Sequence, residues 1–530
     1  MKKNNLLFVF LFIVGTLQAI PDRELIIQLQ GGFSPETFEK SVSQLQFEKT
    51  LMRDLNLHLF SFTEKEVIDL QQLEQHPMVA HVMRNEVIEL RNRVIPNDRR
   101  YGEQWSMERI GMPEVWNITT GGQTAKGDDI VVAVIDADFS TTHEDIVDNI
   151  WQNRDEIAGN GIDDDNNGYV DDVNGWNFGD NSPELRAGNH GTSVAGIIGA
   201  KGDNRIGIAG MNWDVQMMPL TYDRSISEIF SAYDYIVEMR RRYNESGGAE
   251  GAFIVALNGS FGLNSPQLCP ANDPWNQAHN LMGEVGVLIA VSGDNTPLNT
   301  DETGDIPSTC PSDYIISVVA TEENDVRWTG SATGKIGLDI GAPGWGITTI
   351  EGDKSYTSTF NANSSAAPHV AGAIALLYSL ESEELAMLAL SDPPRAARIV
   401  RQAILESAEP LPSLEGIVGT GGRLNMLDAI FQLEQIINPN KPVVEGFELT
   451  NIAPNPVGDE LQVSYATSDV TVFQLRIFDS VGRLIEERAV APCCFKTQVE
   501  NFDVSRYASG VYFVHITHSE GEIVQSFVKS

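Results

Sequence analysis

Residues 131–135 form an unbroken apolar run, Val131-Val132-Ala133-Val134-Ile135, that ends on a carboxylate, Asp136. A strand that is apolar at every position is buried on both faces, so it belongs in a sheet covered by helices on either side. The pattern repeats downstream: residues 251–257, 285–291 and 315–320 predict strands, while 191–199 and 365–380 predict helices rich in small or apolar residues. Apolar strands alternating with helices across 99–437 predict an α/β fold, a doubly wound, mainly parallel sheet flanked by helices. Such sheets present functional groups at the C-terminal ends of their strands. Asp136 stands at that position.

Two further segments carry reactive side chains. Asn189-His190-Gly191-Thr192-Ser193 sets an imidazole among small residues, and Asn363-Ser364-Ser365-Ala366-Ala367-Pro368-His369 sets hydroxyls at the start of an apolar helix. A serine hydroxyl is a poor nucleophile until a base removes its proton, and the base needs a third group to fix its tautomer and stabilise the imidazolium. An acid, an imidazole and a hydroxyl supply those roles. Singly, the Asp reads as a turn cap and the His as a structural residue.

The order Asp, His, Ser and its flanks resemble those of the subtilisin-like serine peptidases, the subtilases. Gly191-Thr192-Ser193-Val194-Ala195-Gly196 after His190 and Pro368-His369-Val370-Ala371-Gly372 carry the likeness. The resemblance implies that Asp136 orients His190, that His190 is the general base, and that Ser364, four residues before Pro368, is the nucleophile, with Ser365 its competitor. It implies an oxyanion donor at Asn295, nine residues after Gly286. Asp294 is the weaker candidate, because a carboxylate repels an oxyanion. Asn258-Gly259-Ser260-Phe261-Gly262 is similar to the segment that pairs with substrate backbone, so Ser260, Phe261 and Gly262 are the expected peptide contacts. The chain departs from the family pattern at Ala362-Asn363, where Gly-Thr is usual, and at Asp294 and Asp138, where Gly is usual. These departures keep open a second reading, a catalytically weakened surface protein that binds peptide or calcium. A general esterase is a third.

In Gly161-Ile162-Asp163-Asp164-Asp165-Asn166-Asn167-Gly168-Tyr169-Val170-Asp171-Asp172, oxygen donors alternate at Asp163, Asp165 and Asn167. Gly168 makes a turn, Tyr169 offers its carbonyl, and Asp171 follows. The spacing copies an EF-hand loop, except that Asn174 stands where the closing Glu belongs. Hard oxygen donors in an exported protein favour Ca2+ as a structural cofactor. The plainer reading is a solvated acidic loop.

Lys2, Lys3, the apolar run 6–14 and Thr16-Leu17-Gln18-Ala19 predict a cleavable secretory signal over 1–19, and no other stretch is apolar enough to span a membrane. A formal charge of −38 over 530 residues argues against nucleic acid or an anionic membrane surface as partner. Export permits disulfides. Of the four cysteines, Cys269 and Cys310 are expected to pair, since both lie in loops of the catalytic region; the adjacent Cys493 and Cys494 are either vicinally bonded or free.

Residues 20–98 read as a small α/β unit, with a strand at 24–30, helical stretches near 34–56 and 64–76, and a strand-rich end at 79–90. By position and pattern this unit is similar to a subtilase propeptide, with processing expected at Pro96-Asn97-Asp98-Arg99-Arg100. Residues 438–446 form a linker. Beyond it, Leu461/Val463/Tyr465 and Phe473/Leu475/Ile477 alternate, predicting a β-sandwich over 447–530. With Pro454-Asn455-Pro456 and Ser509-Gly510-Val511-Tyr512 it resembles the C-terminal sorting domain of the type IX secretion system of Bacteroidetes. The two resemblances imply a secreted or cell-surface protein whose partners are a protein or peptide substrate and the type IX machinery.

Overall fold

The computed structural model describes residues 24–529 except 32, 43, 53–54, 63–72, 75, 85–92, 439–446, 468–472, 481, 491–497 and 519–520. The expected signal segment, nearly all of the linker, and Cys493 and Cys494 lie outside the described residues. The chain divides into two compact units, Met1–Leu90 and Arg91–Ser530.

The first unit holds β1 (Glu24–Leu29), α1 (Pro35–Ser41), β2 (Gln46–Met52), β3 (Leu57–Ser61) and β4 (Val79–Arg84), its strands ordered β2-β3-β1-β4 in an antiparallel sheet. Ser34 caps α1 by accepting from the Thr37 N–H, and the Phe38 ring meets Phe60 edge-on at 5.3 Å. The stretch expected to be helical to residue 56 is helical only to Ser41, and 46–52 form an edge strand. Pairing with β3 outweighs the helix-leaning composition, and an edge strand leaves Glu48 and Lys49 in solvent. The helix expected near 64–76 and the end of the 79–90 stretch fall largely outside the described residues.

The turn over 96–100, where processing is expected, is docked in the second unit. Asp98 is buried and accepts from the Asp203 N–H at 2.7 Å, and the Arg100 N–H donates to the Gly207 carbonyl at 2.8 Å.

The second unit is built on a nine-stranded sheet. Its strands are β5 (Val131–Asp136), β6 (Trp176–Asn177), β7 (Gln216–Thr221), β8 (Ile254–Gly259), β9 (Leu288–Ser292), β10 (Ile315–Thr321) and β11 (Ile340–Pro343), with β14 (Glu409–Pro410) and β15 (Gly422–Arg423) at one edge. The order is β14-β15-β11-β10-β9-β8-β5-β7-β6, and β14 alone runs antiparallel. A hairpin of β12 (Ile347–Glu351) and β13 (Ser355–Phe360) stands apart. β8 and β9 begin later than expected, and Gly286 closes the preceding helix at φ 101° instead of entering a strand.

The principal helices are α2 (His190–Gly199), α3 (Ile226–Ser246), α4 (Pro274–Val285), α5 (Asn363–Tyr378) and α6 (Met426–Ile437). β5 shows why its sequence does not alternate. Val132 and Val134 join one core with Val194 and Ile198 of α2 and Val370 and Ile374 of α5. Val131, Ala133 and Ile135 join the other with Tyr233 and Ile236 of α3 and Met282 of α4. The chain order reverses beside β5, with β7 on one side and β8 on the other, so the carboxyl end of β5 opens onto a crevice of the kind where α/β sheets bind ligands.

The third core belongs to two antiparallel sheets. One holds β16 (Phe447–Ala453), β17 (Glu460–Thr467) and β20 (Gln498–Asp503); the other holds β18 (Phe473–Asp479), β19 (Leu484–Val490), β21 (Gly510–His518) and β22 (Gly521–Lys529). Leu461, Val463 and Tyr465 face Phe473, Leu475 and Ile477 across the sandwich, and the Tyr465 and Phe473 rings meet at 4.7 Å.

Candidate active site

Asp136 closes β5 and is 4% exposed. His190 opens α2, and its Nδ1 lies 2.9 and 2.8 Å from the two oxygens of Asp136. The Ala137 N–H also donates to Asp136 at 2.8 Å. Close approach of α2 to β5 depends on Gly191, where an added Cβ would sit 2.0 Å from the Asp138 carbonyl oxygen and 2.8 Å from Asp136 Cβ. Asp138 accepts from the Gly191 N–H at 3.2 Å, so a residue from outside α2 caps its first turn. Burial lowers the proton affinity of His190, but the hydrogen bond and charge of Asp136, with the charge of Asp138, outweigh it and hold the imidazole above its ordinary value. Burial pushes the Asp136 carboxyl up, against the pull of His190.

α5 is buried along its whole length, and Ser364 is its second residue. The Ser364 hydroxyl is hydrogen-bonded to none of the described residues. The Ser365 hydroxyl is fully buried and donates to the carbonyls of Gly344 at 2.8 Å and Ala362 at 2.7 Å. α5 packs against α2, and Phe360, just before it, meets the His190 ring edge-on at 5.5 Å. The nearby His369 is a core residue, its Nδ1 2.9 Å from the Ser365 carbonyl and its pKa lowered by burial to about 4.

Asn363, one of the departures from the family pattern, fastens α5 to the strand ends. Its Oδ1 accepts from the Ala320 N–H at 2.7 Å and from Ser331 Oγ at 2.6 Å. Its Nδ2 donates to the carbonyls of Gly293 at 2.9 Å and Asp294 at 2.7 Å. Asn295 is exposed, and its Oδ1 accepts from the Asn363 N–H at 3.1 Å, while its amide nitrogen donates to none of the described residues. The Asp294 carboxylate accepts from both the N–H and the hydroxyl of Thr296, each at 2.7 Å. Sequence reasoning recorded Asn363 as a departure and missed its role, because none of its four partners is close to it in the chain.

Ser260, Phe261 and Gly262 follow the end of β8. Ser260 Oγ donates to the Ser364 carbonyl at 3.0 Å, and Phe261 packs edge-on to Tyr222 at 5.8 Å. A Cβ at Gly262 would make only ordinary contacts, 3.6 Å from Asp305 Oδ1 and from the Ile306 carbonyl. Cys269 and Cys310 form a disulfide behind this segment.

In the acidic loop, the carboxylates of Glu156, Asp165 and Asp172 lie within 4.8 Å of one another. Of the expected ligands only Asp165 joins that group. Asp163 accepts from the N–H groups of Asn167 at 3.0 Å and Gly168 at 2.9 Å, while Asp171 accepts from those of Asn160 at 3.0 Å and Gly161 at 2.9 Å, so both shape the loop. Asn167 donates to Asp165 and Asp172, and the Tyr169 ring packs on Trp176, Phe178 and Tyr235. Burial, with mutual repulsion adding to it, raises the Glu156 and Asp165 carboxyls, and burial raises Asp172. A part-buried set of hard oxygen donors at this separation fits a divalent cation such as Ca2+. The spacing motif could not reveal Glu156, which lies outside it.

Residues 127–425 match the profile of the subtilase family. The chain belongs to that family. Residues 451–530 match the secretion system C-terminal sorting domain. Subtilisin-like protease 1 of Plasmodium falciparum (isolate 3D7) is 27% identical over 359 residues, covering 63% of this chain and 47% of that protein. An extracellular protease of Xanthomonas campestris is 29% identical over 335 residues, covering 59% of this chain and 54% of the relative. Thermitase of Thermoactinomyces vulgaris is 28% identical over 340 residues, covering 63% of this subtilase and 99% of thermitase. The chain thus spans about half the length of the first of these relatives. A solved protease structure from Pseudoalteromonas arctica PAMC 21717 covers 64% of this subtilase at 21% identity, with a TM-score of 0.46.

Proposed function

We propose that this subtilase is an exported serine endopeptidase with Asp136, His190 and Ser364 as its triad. The observation that carries the reading is the pair of bonds from His190 Nδ1 to Asp136, beside a Ser364 hydroxyl bonded to none of the described residues and a Ser365 hydroxyl already committed. Two acceptor oxygens at Nδ1 keep the proton there, so Nε2 is the basic nitrogen. Ser364 Oγ bonds to the peptide carbonyl carbon as its proton passes to Nε2, and the carbonyl electron pair moves onto oxygen. The Asn295 amide and the Ser364 N–H, unpaired in the first turn of α5, meet that oxyanion. The C–N bond then breaks as Nε2 protonates the leaving amine. Water repeats the sequence on the acyl-enzyme.

Glu156, Asp165 and Asp172 would hold Ca2+, adding positive charge to three carboxylates that only Arg242, 3.9 Å from Asp165, offsets among the described residues. The first unit serves as a propeptide, and the sandwich addresses the chain to the type IX machinery for surface delivery. Against the binding-only alternative stand two of its own supports: Asp294 is engaged by Thr296, and Asn363 anchors α5. The test is labelling of the folded, secreted protein with a serine-reactive phosphonate. Label at Ser364 is expected, with turnover by Ser364→Ala lower by about 10⁶-fold, a magnitude carried over from subtilisin by analogy. Folded protein that takes no label, or normal turnover by Ser364→Ala, overturns the assignment.

A further inference from the structure

We propose that Asp305 is the floor of the pocket that receives the substrate side chain beside the cleaved bond, and that it selects lysine or arginine there. The inference rests on the roles given above to Ser364 and Asn295.

Asp305 is 4% exposed and lies between the two segments that flank the reacting carbonyl. On one side is the peptide-contact segment: the Leu263 N–H donates to the Ile306 carbonyl at 2.9 Å, and a methyl placed on Gly262 would lie 3.6 Å from Asp305 Oδ1. Gly262 therefore has no side chain to cover that oxygen. On the other side the Asp294 N–H is directed at the same carboxylate, and Asp294 immediately precedes Asn295. In this proposal a substrate residue whose carbonyl lies between Asn295 and Ser364 sends its side chain toward Asp305.

The chemistry of the site calls for a cation. Ser308 Oγ donates to Oδ2, but among the described residues no Lys, Arg or His pairs with Asp305. The charged group facing it is Asp294, which has the same sign. Burial, with that charge adding to it, raises the carboxyl to about 6, so at neutral pH it is ionised, buried and without a counter-charge. A buried charge in that state is costly, and an entering ammonium or guanidinium relieves the cost. The position is pre-organised: Thr309 Oγ accepts from the Asp305 N–H at 2.9 Å, and the Cys269–Cys310 disulfide ties this segment to the loop after β8.

The test uses the chain as its host secretes it and two peptides identical but for Arg or Leu before the cleaved bond. The kcat/KM ratio is expected to favour Arg by about 10²-fold or more, and Asp305→Asn should collapse it. Benzamidine against benzamide reads the same charge preference without a variant, and only the amidine should inhibit. Equal turnover of the two peptides with equal inhibition, or an Arg preference retained by folded Asp305→Asn, overturns the proposal and leaves Asp305 a group that holds the 305–309 turn. If the phosphonate labels Ser364 while charge is ignored, only the Asp305 assignment fails. If nothing is labelled and neither peptide is cut, the reading of Ser364 fails, and this proposal with it.

Discussion

Ala362 holds a backbone conformation, φ 82° and ψ −176°, that glycine adopts freely and alanine resists. Such a residue costs about 1–3 kcal/mol and persists where its surroundings over-determine it. Here those surroundings are the four bonds of Asn363 and the two bonds that Ser365 donates to Gly344 and Ala362. Glycine adds unfolded-state entropy worth about 0.4–1 kcal/mol in the opposite direction. Ala362→Gly should therefore stabilise the fold by about 1 kcal/mol in urea unfolding, and an unchanged or lower midpoint would count against strain at this position. The His190 imidazole gives a pH prediction. Its folded pKa is raised above the ordinary 6.5, and the base proposed for it must be neutral, so kcat/KM should climb with pH through a midpoint above 6.5. The sign for stability is opposite: the contribution is full below the unfolded pKa and lost as pH rises through the folded one. Asp136→Asn removes the larger part of what raises His190 and leaves burial opposed only by the lesser pull of Asp138, so the midpoint of residual activity should move down. A midpoint that stays put contradicts the coupling.

At the scale of the element, α5 contains Pro368, which has no N–H to offer the carbonyl four residues back. That carbonyl belongs to Ser364, and Ser260 Oγ donates to it from the segment after β8. The proline thus opens a hydrogen-bonding vacancy beside the hydroxyl, and the segment after β8 fills it. Ser260→Ala should cost about 1–3 kcal/mol by leaving a buried acceptor unpaired. In a Pro368→Ala background, where the helix regains the donor, the same change should cost less. A double-mutant cycle on unfolding free energies reads the difference, and strictly additive costs would refute the link.

For the whole molecule, calcium held as proposed would become folding stability by mass action, because the grouping of Glu156, Asp165 and Asp172 exists only in the folded chain. Calcium at about 100 times its Kd should add about 2.7 kcal/mol, seen as a rise in Tm that chelator reverses and that Asp165→Ala with Asp172→Ala abolishes. Melting indifferent to both calcium and chelator would leave only a solvated loop.

Periodicity is a local property, so the chain alone was enough for the parallel sheet and the sandwich: Val131–Asp136 is apolar on both faces, and Leu461, Val463 and Tyr465 alternate as a one-sided strand must. Long-range pairing is not local, and tertiary structure decided what depended on it. Residues 46–52 became a strand because β3 offered a ladder. The Ser365 hydroxyl is bound to the Gly344 carbonyl, whereas that of the adjacent Ser364 bonds to none of the described residues. Asn363 gained its role from Gly293, Asp294, Ala320 and Ser331, all distant in the chain. Glu156 and Asp172 joined Asp165, and Asp305 came to rest against Gly262, only once the backbone had folded, since no short spacing records which buried charges will share a space.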